Sequence, residues 1–299
     1  MQRTEAGNVT ERIVLLGKRE SCFYLVDGGR ESVVIGGGMA YVAPELTKQL
    51  QAFSVDERKI SRVIILHSHF DHCGLVPFMK KRWPWVTVAA SQRSKELLSD
   101  PRVSESIGSM NHLALVQAGL EKRADEMGFG FTGVKVAEVL GEGDRVSCGD
   151  LSLEVMEVPG HSSCSIALYL RKEKALFASD AAGVRDGDYY MATGNSNFDL
   201  FEQSLEKMSR LEVEVLLGEH FGALDGEDGR GYLQKAITEA RRTRKRIEES
   251  YRRTWDVKKS TEEVTQAFLS GAPKDFLAPE VLRLVAGQMV RYIAKTMNR

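Results

Sequence analysis

The chain has 299 residues, and its 41 Lys+Arg nearly cancel 42 Asp+Glu, leaving a formal net charge of -1. That balance offers no global attraction to nucleic acid or to an anionic membrane, so neither is expected as a partner. A hydrophobic content of 42% and an aromatic content of 8% suit an ordinary globular protein, long enough for one large domain or for one domain with an appendage.

Met1–Thr10 is mostly polar, unlike a secretion signal, and no later apolar run approaches membrane-spanning length. Short apolar stretches predict strands over Arg12–Leu16, Cys22–Val26 and Ser32–Ile35, with Asp27-Gly28-Gly29 as a hairpin turn. After Gly36-Gly37-Gly38, Pro44 opens a helix that runs to about Phe53. The apolar run Val63–Leu66 reads as a buried strand. A helix over Leu75–Arg82, a strand over Val86–Ala90 and a helix over Ser91–Leu98 follow. From about Asp100 to Gly128 the alternation breaks, which suggests a helical insertion; its single histidine, His112, reads as a surface residue. Strands are predicted again at Val136–Leu140, Arg145–Ser147, Leu151–Val158, Ser165–Leu170 and Ala175–Ala178. A long loop, Ala181–Phe198, then leads to a helix over Asp199–Leu211 and a strand over Val213–Leu217. Beyond about Gly222 the pattern is helical, over Gly231–Trp255, Thr261–Leu269 and Pro279–Met297. The expected organisation is a domain over 1–222, with its insertion at about 100–128, and a helical extension over 223–299 that covers the active site. Cys22, Cys73, Cys148 and Cys164 lack CxxC spacing and read as free thiols of a reducing compartment, so a cytoplasmic location is expected.

Chemistry concentrates at strand ends. His67-Ser68-His69-Phe70-Asp71-His72 follows the apolar run directly and holds three of the six histidines. In an extended backbone His67 and His69 project to the same side. Three further strand ends deliver His161 after Pro159-Gly160, Asp180 after Ser179, and His220 after Gly218-Glu219. Imidazole and carboxylate together suit zinc, iron or manganese rather than calcium or magnesium. Seven ligands exceed the needs of one tetrahedral ion; they fit two ions about 3.5–4 Å apart that share a carboxylate. Cys73, beside His72, reads as packing.

With these motifs the sequence resembles the metallo-β-lactamase fold superfamily, whose HxHxDH signature stands here at residues 67–72, over roughly residues 10–222. The resemblance implies an α/β fold, an αββα sandwich of two packed sheets with helices outside. It also implies that His67, His69 and His161 hold one metal, that Asp71, His72 and His220 hold the second, and that Asp180 bridges them. Two divalent ions are expected, iron or zinc, with manganese as a further candidate. Glyoxalase-II-like thioesterases are the broader neighbours. The His72-Cys73-Gly74-Leu75 run, Pro77, the insertion around Asn111 and the helical tail are similar to the thioesterase and response-effector group of a quinolone signal pathway, whose metals are iron. One departure stands out: most members carry aspartate in an Ile-Asp-x-Gly context after an early strand, and here that place reads Val34-Ile35-Gly36-Gly37-Gly38.

The activity implied is hydrolysis of an acyl thioester or ester by a metal-bridging hydroxide, with Asp71 and Asp180 as the catalytic carboxylates. Bound cations lower the pKa of water from 15.7 to about 7 and polarise the attacked carbonyl. Lactonases and phosphodiesterases use the same ligands, so they stay open as alternatives. So does a regulatory effector that binds a protein partner, or a homodimer, and hydrolyses weakly. The basic run Arg241–Arg246 reads as a solvated helix face, with a partner surface or a clamp for coenzyme A phosphates as alternatives. Val264, Phe268, Leu269, Phe276, Val281, Leu282, Leu284, Val285, Met289, Val290 and Ile293 make the tail too apolar to stand alone. Its face is expected to bury against the insertion or against a second chain, and Tyr189 and Tyr190 are expected to wall the pocket.

Overall fold

The computed structural model describes residues 1–273 and 278–298; Phe276 lies outside them. In spatial order one seven-stranded sheet runs Gly7–Asn8, Ile13–Lys18, Ser21–Asp27, Ser32–Ile35, Ile60–Ile64, Thr87–Ser91 and Glu138–Leu140. Its early strands are antiparallel neighbours, whereas Ile60–Ile64 and its neighbours on either side are parallel. Parallel pairing needs crossovers, and the helices Ala43–Ala52 and Val76–Arg82 supply them. The second sheet runs Gln2–Arg3, Ala223–Leu224, Val215–Leu217, Ala175–Phe177, Ile166–Leu170, Leu151–Glu157 and Arg145–Cys148.

The period of two in the strands builds the layers. From Ser21–Asp27, Cys22, Tyr24 and Val26 enter a core shared with Leu153, Val155, Phe177 and Leu217 of the other sheet. Phe23 and Leu25, on the opposite face, meet Leu46, Met79 and Trp83 of an outer helical layer. A strand buried on both faces can be apolar throughout, which is why it lacks polar alternation. The outer face of the second sheet, with Leu176 and Leu216, packs on Phe198 and Phe201 and on the helices of the C-terminal part. The result is the expected αββα sandwich.

The insertion consists of the helices Pro101–Gln117 and Glu121–Met127. Asn111 ties the first of them to the rest of the fold. It is fully buried; its Oδ1 accepts from Ala40 N–H at 3.0 Å and its Nδ2 donates to Phe70 O at 2.9 Å. The stretch expected as one loop after Ala181 contains the hairpin Val184–Asp186 with Tyr189–Met191. There Tyr190 packs edge-on to Tyr232 and donates to Ala182 O, and Tyr189 lies against Gly271. The tyrosines are thus spent on internal packing.

The C-terminal helices are Gly226–Thr254, Val257–Gly271 and Pro279–Met297. Leu282, Met289, Val290 and Ile293 of the last one bury with Val264 and Phe268 and with Ile247. This part of its apolar face is therefore covered by its own neighbouring helices rather than by the insertion. In the basic run, Arg244 donates to Glu202 and Asp199 and stacks over Phe198, while Arg241 donates to Glu206. Carboxylates thus engage these two guanidinium groups of the run.

Candidate metal centre

Both sheets contribute to one rim. His67, His69, Asp71 and His72 follow Ile60–Ile64 of the first sheet, with Asp71 and His72 on the short helix Phe70–Cys73. His161, Asp180 and His220 follow Leu151–Glu157, Ala175–Phe177 and Val215–Leu217 of the second. The rims are stitched together by Ile166 N–H donating to Leu66 O at 2.9 Å and Cys22 N–H donating to Glu219 O at 3.0 Å. Beside each residue from the second sheet the backbone turns through positive φ: Gly160 at 135°, Ser179 at 46° and Phe221 at 58°. Ser179 and Phe221 are costly there, the kind of strain that concentrates at functional sites. Glycine is required at position 160, because a Cβ would stand 2.2 Å from Phe201 N.

The seven side chains expected to act together do converge. Asp180 Oδ2 lies 3.3 Å from His72 Nε2, 3.5 Å from His161 Nε2 and 3.6 Å from His220 Nε2. Asp71 Oδ2 is 3.5 Å from both His72 Nε2 and His220 Nε2. His161 Nε2 is 2.9 Å from His69 Nδ1, and His220 Nε2 is 3.1 Å from His72 Nε2. Among the described residues three compact groups result: the trio His67, His69 and His161, the trio Asp71, His72 and His220, and His67 with His72 and Glu219. His112 is remote from them, exposed and 3.4 Å from Glu121.

Outer partners aim the rings. His161 Nδ1 donates to Thr193 O at 3.0 Å and His220 Nδ1 donates to Glu20 O at 2.8 Å, so each Nε2 lone pair points into the site. His67 Nε2 is buried with no hydrogen-bond partner among the described residues. An unpaired imidazole nitrogen among other histidines is what a cation would satisfy. Nitrogens on one tetrahedral ion with bonds of 2.0–2.1 Å stand about 3.3 Å apart, near the separations seen here. The donor set fits divalent metal.

Residues 17–220 match the family described as the Metallo-beta-lactamase superfamily. The chain belongs to the metallo-beta-lactamase superfamily. Among curated relatives, it is 28% identical over 233 residues to the human acyl-coenzyme A thioesterase MBLAC2, covering 73% of this chain and 79% of that one. It is 26% identical over 145 residues to a hydroxyacylglutathione hydrolase of Nitrobacter winogradskyi, covering 48% of this chain and 43% of that one. Of solved structures, a metallo-beta-lactamase family protein from Thermus thermophilus superposes with a TM-score of 0.69 at 16% identity. That match covers 97% of this chain and 95% of the other, and it speaks for the fold alone.

In this superfamily member the charges are arranged for cation binding. Burial, then the neighbouring imidazoles, pushes His67 well below its usual range, and burial takes His161 down to about 3. Burial also lowers His69. All three stay neutral with lone pairs available. For Asp71 and Asp180 burial works the other way, but His72 and His220 outweigh it and hold both carboxyls far below their usual range. Burial opposes protonation of His72 and His220, yet the same carboxylates prevail and raise both. A dication entering the second trio would displace those protons.

A cavity of about 660 Å³ opens on the site. His69, Asp71, His161, Asp180 and His220 form its floor, and Val103, Ile107 and Met110 of the insertion helix form one wall. Val281, Leu284 and Val285 of the last helix, with Val184 and Met191 of the hairpin, complete it. Two residues that sequence reasoning missed stand behind the floor: Ser179, whose Oγ is 3.3 Å from His67 Nδ1, and Glu219, whose Oε2 is 3.2 Å from His72 Nδ1. Their adjacency to Asp180 and His220 was the available signal.

Proposed function

We propose that this chain is a binuclear metal-dependent hydrolase of acyl thioesters or esters, with His67, His69 and His161 holding one ion, Asp71, His72 and His220 the other, and Asp180 shared. The observation that carries this reading is Asp180 Oδ2 within 3.3–3.6 Å of Nε2 atoms from both trios, at the floor of an apolar cavity. Iron or zinc suits the donors, with manganese as a further candidate. When bound, two divalent cations supply a water acidic enough to attack near neutral pH and a Lewis acid for the carbonyl.

The chain's own residues do the rest. Asp180, buried and anionic, neutralises charge between the trios and holds their geometry. Asp71 is the more exposed carboxylate, 20% against 8% for Asp180, and lines the cavity. As a ligand of the second ion that also borders the cavity, it would orient the attacking water. Phe70, Ile107, Met110 and Leu284 offer an apolar wall that excludes water and receives an acyl chain. The acyl-coenzyme A thioesterase among the relatives supports a thioester in particular. Residues 223–299 act, in this reading, as a helical extension over a domain of residues 1–222. The four cysteines are free and buried, which supports a reducing, cytoplasmic setting.

The test is element counting on protein purified without oxygen, paired with acyl thioesters and esters of increasing chain length. Two metal equivalents and chelator-sensitive thioester turnover are expected. A metal-replete protein that leaves every thioester and ester intact, but cleaves a lactone or phosphodiester, would refute the reading.

A further inference from the structure

Glu219 precedes His220 in the chain, but its side chain turns inward and is 2% exposed. A carboxylate so deeply buried is costly unless its oxygens are engaged. Its Oε2 accepts from the Ser179 hydroxyl and stands 3.2 Å from His72 Nδ1, an ion-pair distance rather than an aligned hydrogen bond; Oε1 and His72 Nδ1 both lack a hydrogen-bond partner among the described residues. The Ser179 Oγ in turn lies 3.3 Å from His67 Nδ1. One carboxylate thus reaches an imidazole of each trio on the side away from the cavity, His72 directly and His67 through one hydroxyl.

The fold makes room for it. A Cβ at Gly36 would stand 2.4 Å from Glu219 Oε1 and 2.9 Å from Phe23 Cβ, and the backbone there has φ of 95°. Gly36 leaves the space that the Glu219 carboxylate fills. The aspartate missing after the early strand therefore coincides with an acid delivered from the other sheet.

We infer that Glu219 is a positioning residue of the metal centre, fixing the tautomer and ring orientation of His72 and, through Ser179, of His67, so that both Nε2 atoms face the ions. Although it also clusters with His67 and His72, we place it outside the two ion sites, because it sits on the Nδ1 side of His72 while Asp71 and Asp180 gather at Nε2. Partners of ligating histidines are worth about 10–100-fold in metal affinity. This inference rests on the two-ion reading above.

The test compares wild type, Glu219→Ala, Glu219→Gln and Ser179→Ala by zinc affinity in competition with a chelator and by melting of the metal-free proteins. Glu219→Ala should bind both ions about 10–100-fold more weakly, because one histidine of each trio is loosened. Its metal-free form should still unfold cooperatively, so that the weaker affinity is read on folded protein. Glu219→Gln, which keeps one acceptor, should fall between, and Ser179→Ala should weaken mainly the ion held by His67. Unchanged affinity in Glu219→Ala, or a loss confined to one ion, would overturn the inference. If the alanine variant does not fold, unchanged affinity in the near-isosteric glutamine variant overturns it instead. A wild type that binds no ion would overturn the two-ion reading and this inference together.

Discussion

Asn111→Ala probes how the insertion is fastened to the site. Asn111 sits fully buried between the insertion helix, the start of the motif helix and Ala40. Truncation leaves Ala40 N–H without the acceptor it meets at 3.0 Å and Phe70 O without the donor it meets at 2.9 Å. Its third bond, to Ile107 O at 3.1 Å, duplicates the helix's own i to i−4 bond and costs little. Two orphaned buried groups at about 1–3 kcal/mol each predict a loss of roughly 2–4 kcal/mol once some water enters. That is a large share of a typical stability of about 5–15 kcal/mol. Urea unfolding should show a lower midpoint at unchanged slope, and hydrogen exchange should rise across Pro101–Gln117. Because Val103, Ile107 and Met110 of that helix line the cavity, KM for long acyl chains should rise more than KM for short ones. A loss below about 0.5 kcal/mol, or a larger one without faster exchange in that helix, would refute the account of how the helix is fastened.

Other consequences are simpler. Asp180→Asn should lower kcat/KM by at least about 100-fold, the upper end of what losing an outer partner of a ligand costs, while His112→Ala, remote and exposed, should leave it unchanged. Gly160→Ala should destabilise by about 2–4 kcal/mol in urea unfolding, because it combines positive φ with a backbone clash. Glu57 accepts from Arg82 Nη2 at 2.7 Å and Trp83 Nε1 at 2.6 Å, and the Arg82 bond foremost holds its carboxyl below 4.5. A lowered carboxyl pKa stabilises above the unfolded value and is lost as pH falls through the folded one. Glu57→Gln should therefore cost about 1–2 kcal/mol at pH 7, and the gap to wild type should close as unfolding is repeated toward pH 3.

The candidate ligands were legible because their spacing is local. His67 and His69 are separated by one residue, and each remaining candidate ends a readable apolar strand. Ser91, Asp100 and Asn197 cap helices with their side chains, as residues of their type at helix starts do. What stayed hidden depends on partners far away in sequence. Glu219 looks like any acid after a strand until Ser179 and His72 close around it, 40 and 147 residues away in the numbering. The hairpin at Val184–Met191 has three-residue strands that pair with each other and not with either sheet, too short for a periodic signal. Its tyrosines looked like pocket walls because aromatic residues in a loop near Asp180 fit that role, yet the helices behind them took up their bulk.

Placing the site between two sheets has a mechanical consequence. Four candidate ligands come from one sheet and three from the other, so any slip between the sheets would change distances such as the 3.3 Å from His72 Nε2 to Asp180 Oδ2. The shared core resists that slip: Tyr24 of one sheet packs edge-on to Phe177 of the other at 5.6 Å, and its hydroxyl donates to Gly218 O at 2.6 Å. Gly218 lies two residues before His220. One side chain thus fixes the sheet spacing and the start of the loop that carries a ligand. The strained turns at Ser179 and Phe221, each costing about 1–3 kcal/mol, can persist only against such a support and would relax if the rims were free to move. The core between the sheets and the precision of the metal centre are therefore one property. A core substitution at Tyr24, far from solvent, should loosen the His220 loop before it unfolds the chain.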